Sequence, residues 1–556
     1  MRLLLGLSAA ITLALAAAPP PASAAVENDS PDAMVIPVDF PRKPDHFSIT
    51  ARAALETANQ TPEVMQQRSR RGTLRAGIEE ANVAWEVSYY DDQDEGKKVA
   101  LVIIDGPTGE VREAWTGLQV GWPSARGYEG WFGHSLNSPW IWLPLSALFL
   151  FGLANWRSPG RIAHLDLLVL LAFGLSYAIF SAGDVGVSFP LVYPPLLYLL
   201  GRMAWIGFGR RSAPLRPSAP TSFFVIAAIA LVICRIVLQV ADSGVSDVGY
   251  AGVIGADRIS RGDAVWGEGA FPEDNPVGDA YGPTVYLAYL PFQQAIGWSG
   301  VWDDLPAARW ASVTFDLLAL LGLLYLGKAL CRPREEEGLP WLERNRLGVV
   351  LAFAWLAFPF TDLALQSSTN DALLAAGVIW ALALFARPGV RGALLAATAL
   401  TKFAPLVLVP LFVAGRRALP RPDLRDPALA ALGLAIVSVA LLAWPAISPG
   451  LGVFWERTIV TQAERGSIFS VWGQAELGPA RQIVWVLVAL FAASLAFAPR
   501  GRSLAQVCAL SGAALIAVQL TIEHWFYFYI PWFLGPVLAA ICASSDRSAR
   551  GSARSG

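Results

Sequence analysis

Ser222–Ala241 reads SFFVIAAIALVICRIVLQVA, and the chain then turns polar over Ala241–Pro283, ADSGVSDVGYAGVIGADRISRGDAVWGEGAFPEDNPVGDAYGP, before the apolar run Thr284–Trp298. As a helix the first stretch is long enough to span about 30 Å of hydrocarbon. The second is a long acidic loop between two apolar segments. Such a loop places ionisable side chains where both water and lipid can be reached, and the reading of the whole chain grows from it.

The composition agrees. Of the 556 residues 54% are hydrophobic and 15% charged, against about 25% charged in a soluble domain, and the mean hydropathy is +0.46. Most of the chain therefore belongs in lipid, as a multi-pass protein of the cell membrane with membrane lipids as partners. A net charge of −2 offers no basic field for nucleic acid, so no nucleic-acid partner is expected. Cys234, Cys331, Cys508 and Cys542 lie in or beside apolar runs and imply no disulfide framework. Four histidines without ligand spacing make no zinc site. No cofactor is called for, and a divalent metal has no residues in its support.

Met1–Ala24 has the pattern of a signal peptide: Arg2, an apolar core, and small residues at Ala22-Ser23-Ala24. Residues 25–138 then form an exported α+β domain. Ile49–Ala58 and Gly72–Ala81 suggest two short helices, with the polar QRSRR run between them. Trp85–Tyr90 alternates as a half-buried strand does, Val99–Ile104 is a second strand, and Asp105–Gly109 turns into Glu110–Trp115. This order resembles a PepSY-like domain, a type that implies a regulatory or binding module; a small packing domain without a ligand fits equally well.

From Pro139 apolar runs alternate with short polar loops. Spans are expected near 139–156, 163–181, 189–208, 222–241, 284–299, 309–328, 347–362, 371–387, 427–446, 482–498, 503–521 and 526–544, with 393–414 forming one span or a hairpin. The first three, over 139–209, precede a core of 210–545 and a basic tail of 546–556. The expected fold class is an all-α polytopic membrane helix bundle carrying a small α+β extracytoplasmic N-terminal domain. Arg157, Arg161, Arg210, Arg211, Arg216, Arg416, Arg417, Arg421, Arg425, Arg500 and Arg502 recur on one side, with Arg547, Arg550 and Arg554 in the tail. The positive-inside rule makes that side and the tail cytoplasmic, and the loop after Ala241 outer. Two arrangements satisfy Lys328, Arg332, Arg334, Arg344 and Arg346 as well. In one, 284–299 is re-entrant and 393–414 a hairpin; in the other 284–299 and 309–328 both cross fully and 393–414 crosses once.

The outer loop carries Asp247-Val-Gly-Tyr250, Arg261-Gly-Asp-Ala-Val-Trp266 and Tyr281-Gly-Pro283, followed later by Asn370-Asp371 and Gly392-Ala-Leu-Leu-Ala-Ala-Thr-Ala-Leu-Thr-Lys402-Phe-Ala-Pro405. In order and spacing, over roughly 222–545, these elements resemble the C-type, polyprenyl-phosphate-dependent glycosyltransferases, most closely family 87. That resemblance implies a sugar of pentose or mannose type, a polyprenyl-phosphate donor, a lipid or cell-envelope glycan acceptor, and an inverting transfer on the outer membrane face. Asp247 is the candidate catalytic base and Asp257 the second candidate, ahead of Asp263, Glu268, Glu273, Asp274 and Asp279. A carboxylate at interface depth can take the acceptor proton as attack proceeds, and a single one suffices where phosphate is the leaving group, whereas a glycosidase needs a matched pair.

Arg258, Lys402, Arg457, Arg465 and His524 are the candidates to meet the phosphate. Lys402 stands in an otherwise apolar run, where a charge is costly and usually functional or turned inward; pairing with Asp371 is its alternative role. Tyr281, with Trp266, Trp455, Trp472 and Trp525, offers aromatic faces for a sugar, although interface belts use the same residues. A transporter is the rival reading, weakened by the absence of an internal repeat. A sensor or scaffold working through the N-terminal domain is the third.

Overall fold

The computed structural model describes residues 43–543 except 45, 82, 92, 94–96, 117–119, 121–133, 211, 273–274, 303–304, 332–340, 465 and 476. The expected signal peptide and basic tail, with Glu273, Asp274, Arg332, Arg334 and Arg465, lie outside the described residues. The chain divides into two compact units. The smaller comprises the described residues within Ser23–Tyr128 together with Tyr177–Ser188; the larger comprises those of Glu129–Ser176 and Phe189–Gly556.

In the smaller unit, α1 (Ala51–Asn59) starts where the Thr50 side chain accepts from the Ala53 N–H, and it buries Ala51, Ala54 and Ala58. Helix α2 (Pro62–Arg71) opens on proline and stops at Gly72, φ +86°. Four strands follow as an antiparallel meander in sequence order, β1 (Arg75–Ala81), β2 (Ala84–Asp91), β3 (Lys97–Asp105) and β4 (Val111–Thr116). Trp85, Val87, Val102 and Ile104 close the core against the α1 alanines. The expected second helix over Gly72–Ala81 is wrong: most of that stretch is β1, and the polar run before it is the helix. Ala76 and Ile78 supply a period-2 face to the core, a signal too short to outweigh the charged residues between them.

The larger unit is helical. In chain order it contains α3 (Pro139–Leu153), α4 (Ile162–Ser181, as far as Ser176), α5 (Tyr193–Gly207), α6 (Thr221–Ala241), α7 (Asp247–Arg261), α8 (Pro283–Ile296), α9 (Pro306–Leu330), α10 (Arg346–Ala357), α11 (Pro359–Gln366), α12 (Asp371–Ala383), α13 (Pro388–Ala399), α14 (Val409–Ala414), α15 (Arg425–Ile447), α16 (Gly478–Ser494), α17 (Leu504–Gln519) and α18 (Ile530–Cys542). Among the described residues four helices, α4, α6, α9 and α15, are long and apolar enough to cross a membrane. The pair α10–α11 passes as one span bent by 61°, and α3, α12, α16, α17 and α18 are shorter apolar helices. The expected dozen full-length spans is thus corrected: several are short or broken.

The polar contacts sort the loops onto two ends. At one end Arg391 holds Asp426 at 2.7 Å and donates to the Phe412 carbonyl, Arg502 donates to the Gly415 carbonyl, and Arg346 donates to the carbonyls of Pro217 and Ala219. This is the basic end. The opposite end gathers 242–250, 278–286, 302, 305–309, 366–371, 400–403 and 520–532. Helix α8 begins there and packs antiparallel on α7, Gly252 against Tyr289 and Gly255 against Tyr286. Its 14 residues reach only about 21 Å, short of a full crossing. Residues 393–414 leave α13 at the same end and return through α14. Helix α8 is thus a short helix packed on α7, and 393–414 folds back on itself, with Arg391 donating to the Phe412 carbonyl.

A charge cluster inside the bundle makes the bend between α10 and α11. Arg235 of α6, 2% exposed, faces Asp316 at 3.1 Å and Asp362 at 3.4 Å. The same guanidinium donates to the carbonyls of Trp355 and Leu356, at 3.4 and 3.1 Å, the first of which Pro359 at the start of α11 cannot serve. Replacing Arg235 by Leu leaves two carboxylates unpaired in the interior. A loss of about 3–5 kcal/mol is expected on breaking such a pair, read as a lowered thermal midpoint of the detergent-solubilised protein, with Arg235→Lys losing less. An unchanged midpoint in Arg235→Leu contradicts this role.

Candidate active site

Four backbone segments meet at the end opposite the basic loops. The first is the start of α7. Gly244 and Ser246 donate their N–H groups to the carbonyls of Gln366 and Ser367, at 3.1 and 3.0 Å, so 244–246 lies along the segment leaving α11. A Cβ at Gly249 would stand 2.4 Å from the Ser368 carbonyl oxygen; the glycine lets α7 sit directly on that segment. Asp247 is the first residue of α7, where the helix dipole favours a negative charge. It is half-buried, and its carbonyl accepts from Asn275 Nδ2 at 2.9 Å.

The second and third segments are joined strand-like. Gly282 and Thr284 donate their N–H groups to the carbonyls of Thr401 and Leu400, at 3.0 and 3.1 Å. A Cβ at Gly282 would lie 2.1 Å from the Leu400 oxygen, so only glycine allows the approach, and Pro283 then starts α8. This pairing sets Tyr281 beside Lys402.

Lys402 has its ammonium 2.6 Å from Asp371 Oδ1, with 12% of the lysine side chain and none of the aspartate exposed. Three rings surround it, with centroids at 5.6 Å for Tyr281, 5.4 Å for Tyr529 and 5.7 Å for Trp532, within the range in which a cation is attracted to an aromatic face. Tyr529 and Trp532, from the fourth segment, stack on each other at 4.3 Å. The Trp532 indole also donates to Asp371 Oδ1 at 2.8 Å. Asp371 opens α12 and gains from that dipole as Asp247 does from its own. Although Tyr281 is half-buried by accessible surface, the protein around its hydroxyl, then the charge of Asp247, the Tyr529 phenol and the charge of Asp371, push the phenol well above its ordinary range. It remains a neutral hydroxyl, and Asp247 is near enough for its charge to be felt there.

The other candidates are placed elsewhere. Asp257, 6% exposed, accepts from Gln293 Nε2 at 3.0 Å and pairs with Arg261 at 2.9 Å. Arg258 donates to the Ala264 carbonyl at 2.6 Å, closing the end of α7. Arg457 grips Asp279 with two bonds, 2.6 and 2.9 Å, and donates to the Pro276 carbonyl; that carboxylate raises the already high guanidinium pKa. His524 meets Ser467 Oγ at 3.0 Å through Nδ1, and its ring lies 5.2 Å from that of Phe469. Asp263 and Glu268 are exposed. Trp266 is a strut, its indole donating to the Tyr281 carbonyl at 3.0 Å. Among the described residues no group of three or more His, Cys, Asp or Glu side chains could hold a metal ion.

Lys402, Asp371 and Tyr281 are therefore neighbours, and Asp247 lies within electrostatic reach of the Tyr281 phenol. Tyr529 and Trp532 were absent from the sequence reading. Their three-residue spacing at the head of the last apolar run was the available signal, but an interfacial aromatic belt looks the same.

A bundle of apolar helices with a lysine, carboxylates and aromatic rings gathered at one end is the build of an integral membrane enzyme. A sequence model of glycosyltransferase family 87 matches residues 280–523, and the protein is a membrane glycosyltransferase carrying a family 87 region. The match includes Tyr281, Asp371, Lys402 and Arg457; Asp247, Asp257 and Arg258 precede it, and His524 follows its last residue. No curated protein matches the chain.

Gly282→Val tests how the site is held. The added side chain forces 281–284 away from 400–401 and moves Tyr281 off Lys402. Glycosyl transfer by protein assayed below its thermal midpoint is expected to fall about 100-fold, as for a displacement near 1 Å, and the midpoint itself falls as the two inter-segment bonds are lost. An unchanged rate refutes the pairing as the positioning device.

Proposed function

We propose that this glycosyltransferase moves a sugar of the pentose or mannose type from a polyprenyl-phosphate donor to a hydroxyl of a lipid or cell-envelope glycan, with inversion, on the outer membrane face. The observation that carries the reading is the meeting of Lys402, Asp371 and Tyr281 at helix ends, within electrostatic reach of Asp247. A polyprenyl-phosphate sugar has its tail in hydrocarbon and its phosphate at the membrane surface, and the cluster stands at one end of an apolar bundle, where such a phosphate would lie. The basic end is the cytoplasmic one, by the distribution of arginines.

In this reading the acceptor oxygen attacks the anomeric carbon as the bond from that carbon to the phosphate oxygen breaks. The acceptor proton passes to the Asp247 carboxylate. The electron pair of the broken bond leaves on polyprenyl phosphate, whose charge the Lys402 ammonium balances in a site shielded by three rings. Tyr281 contributes a neutral hydroxyl beside the same phosphate. Asp371 keeps Lys402 in position before the donor arrives. Arg457, committed to Asp279, shapes the loop that carries Tyr281, and His524 is engaged with Ser467 and Phe469. Asp257, tied to Gln293 and Arg261, serves the packing of α7 on α8.

The test uses the purified full chain in lipid nanodiscs with radiolabelled polyprenyl-phosphoryl mannose and polyprenyl-phosphoryl arabinose. Asp247→Asn is expected to lower transfer by about 10²–10⁴-fold, the usual contribution of a general base, with donor binding retained. Lys402→Met is expected to weaken donor binding as well as turnover. Near-parental turnover in Asp247→Asn overturns the base assignment, and failure of the parent to use either donor overturns the donor class.

A further inference from the structure

Beside the Lys402 pair lies a set of buried polar atoms with no hydrogen-bond partner among the described residues. Asn370 is 1% exposed, and neither its Oδ1 nor its Nδ2 makes a hydrogen bond; Asp371 is fully buried, and its Oδ2 makes none. The Tyr289 hydroxyl, also fully buried, is unpartnered, and it is close enough to Asp371 for that charge to bear on its phenol. Thr284 Oγ1 is a further unpartnered atom, on the segment paired with Leu400. Most buried polar groups find a partner, because an unmade bond carries the full desolvation penalty. Three unmet atoms on two consecutive residues, with a hydroxyl from a second helix alongside, mark a surface completed by something else.

The orientation is fixed rather than accidental. Asp371 Oδ1 accepts from both Lys402 Nζ and the Trp532 indole, at 2.6 and 2.8 Å. These bonds set the carboxylate and leave Oδ2 as the unmet oxygen. The chemistry of the unmet atoms selects the ligand. A phosphate is repelled by a carboxylate oxygen, and a cation is repelled by an amide N–H. A hydroxyl suits both, because it donates to Asp371 Oδ2 or Asn370 Oδ1 and accepts from Asn370 Nδ2. Two acceptors and one donor on neighbouring residues match adjacent hydroxyls on a sugar ring.

We infer that Asn370 and Asp371 form the subsite that reads neighbouring hydroxyls of the transferred sugar. The inference rests on the proposed donor reading, in which Lys402 meets the phosphate. The sugar is joined directly to that phosphate, so its ring hydroxyls fall within the reach of residues adjoining Lys402. Asn370 then sets which sugar is accepted, while Asp371 serves both the sugar and the lysine.

Asn370→Leu removes both amide atoms at similar volume, and Asn370→Asp, nearly isosteric, removes only the donor. The full chain in nanodiscs is assayed with farnesyl-phosphoryl mannose, its monodeoxy counterparts at each ring hydroxyl, and farnesyl-phosphoryl arabinofuranose, with kcat and KM obtained separately and thermal midpoints recorded. The parent is expected to lose about 10- to 100-fold in kcat/KM on at least one deoxy donor, as sites built to bond a hydroxyl reject analogues lacking it. In Asn370→Leu that same penalty shrinks to within about threefold, and penalties at other hydroxyls persist. If Asn370→Leu unfolds, Asn370→Asp carries the comparison and must change the same penalty. Penalties identical in parent and folded variants overturn the inference. If the parent uses nucleotide sugars and no farnesyl-phosphoryl donor, the lipid-donor reading fails, and the same deoxy comparison on nucleotide sugars decides Asn370 independently.

Discussion

The structure of the larger unit turns on one buried cation. An arginine at the centre of a membrane helix is strongly disfavoured by itself, by about 2.5–3.5 kcal/mol even on insertion scales. Arg235 is held because its terminal nitrogens bond Asp316 and the carbonyls of Trp355 and Leu356, while Asp362 adds a second carboxylate charge at 3.4 Å. The first of those carbonyls is the one that Pro359 leaves without a helical N–H. Irregular backbone at membrane depth is tolerated only where protein satisfies it, and here Arg235 shares that task with the Thr361 hydroxyl and the Phe358 N–H. Gln366 extends the arrangement, donating to the Arg235 carbonyl and to Asp362. The broken span then ends where 366–371 can run beside α7 and deliver Asn370 and Asp371. The site is thus anchored from inside the bundle rather than from its surface loops.

At the site itself, backbone contact does what side-chain reach could not. Lys402 is flexible by nature, and a lysine at a helix end ordinarily extends to water. Here it is confined by a carboxylate and three rings, and the confinement depends on Tyr281 being brought alongside by the bonds of 282 and 284 to 400 and 401. Asp247 and Asp371 each open a helix. Each carboxylate thereby draws on the positive end of its own helix.

Much of this was legible in the sequence, and the limits have physical causes. The apolar runs and the arginine series declare a bundle with two distinct ends, and Asp247, Tyr281 and Lys402 could be singled out because charge or polarity interrupts apolar context. The alternative of Lys402 pairing with Asp371 was readable for the same reason. Periodicity could not separate full crossings from short helices, since α8 and α12 are as apolar as true spans and differ only in length. In the smaller unit β1 was hidden because its alternation rests on Ala76 and Ile78 alone. Tyr529 and Trp532 were invisible because their role comes from Lys402, more than a hundred residues earlier. Arg457 and Asp257 illustrate the opposite case: charges conspicuous in sequence that the fold spends on pairing with Asp279 and with Gln293 and Arg261.

The convergence of segments from 247, 281, 371, 402 and 529 also bears on how the chain is made. Each contributor sits at the end of a different helix, and which end of the bundle it reaches depends on how many crossings precede it. One helix left out of the bilayer during synthesis reverses the parity of those after it and sends Asp371, Lys402 or Trp532 to the opposite face. A misthreaded chain still buries much of its apolar surface, so stability alone would discriminate weakly against it. The cluster discriminates sharply, because it assembles only from a fully and correctly threaded chain. Catalytic competence thereby doubles as a record of faithful insertion.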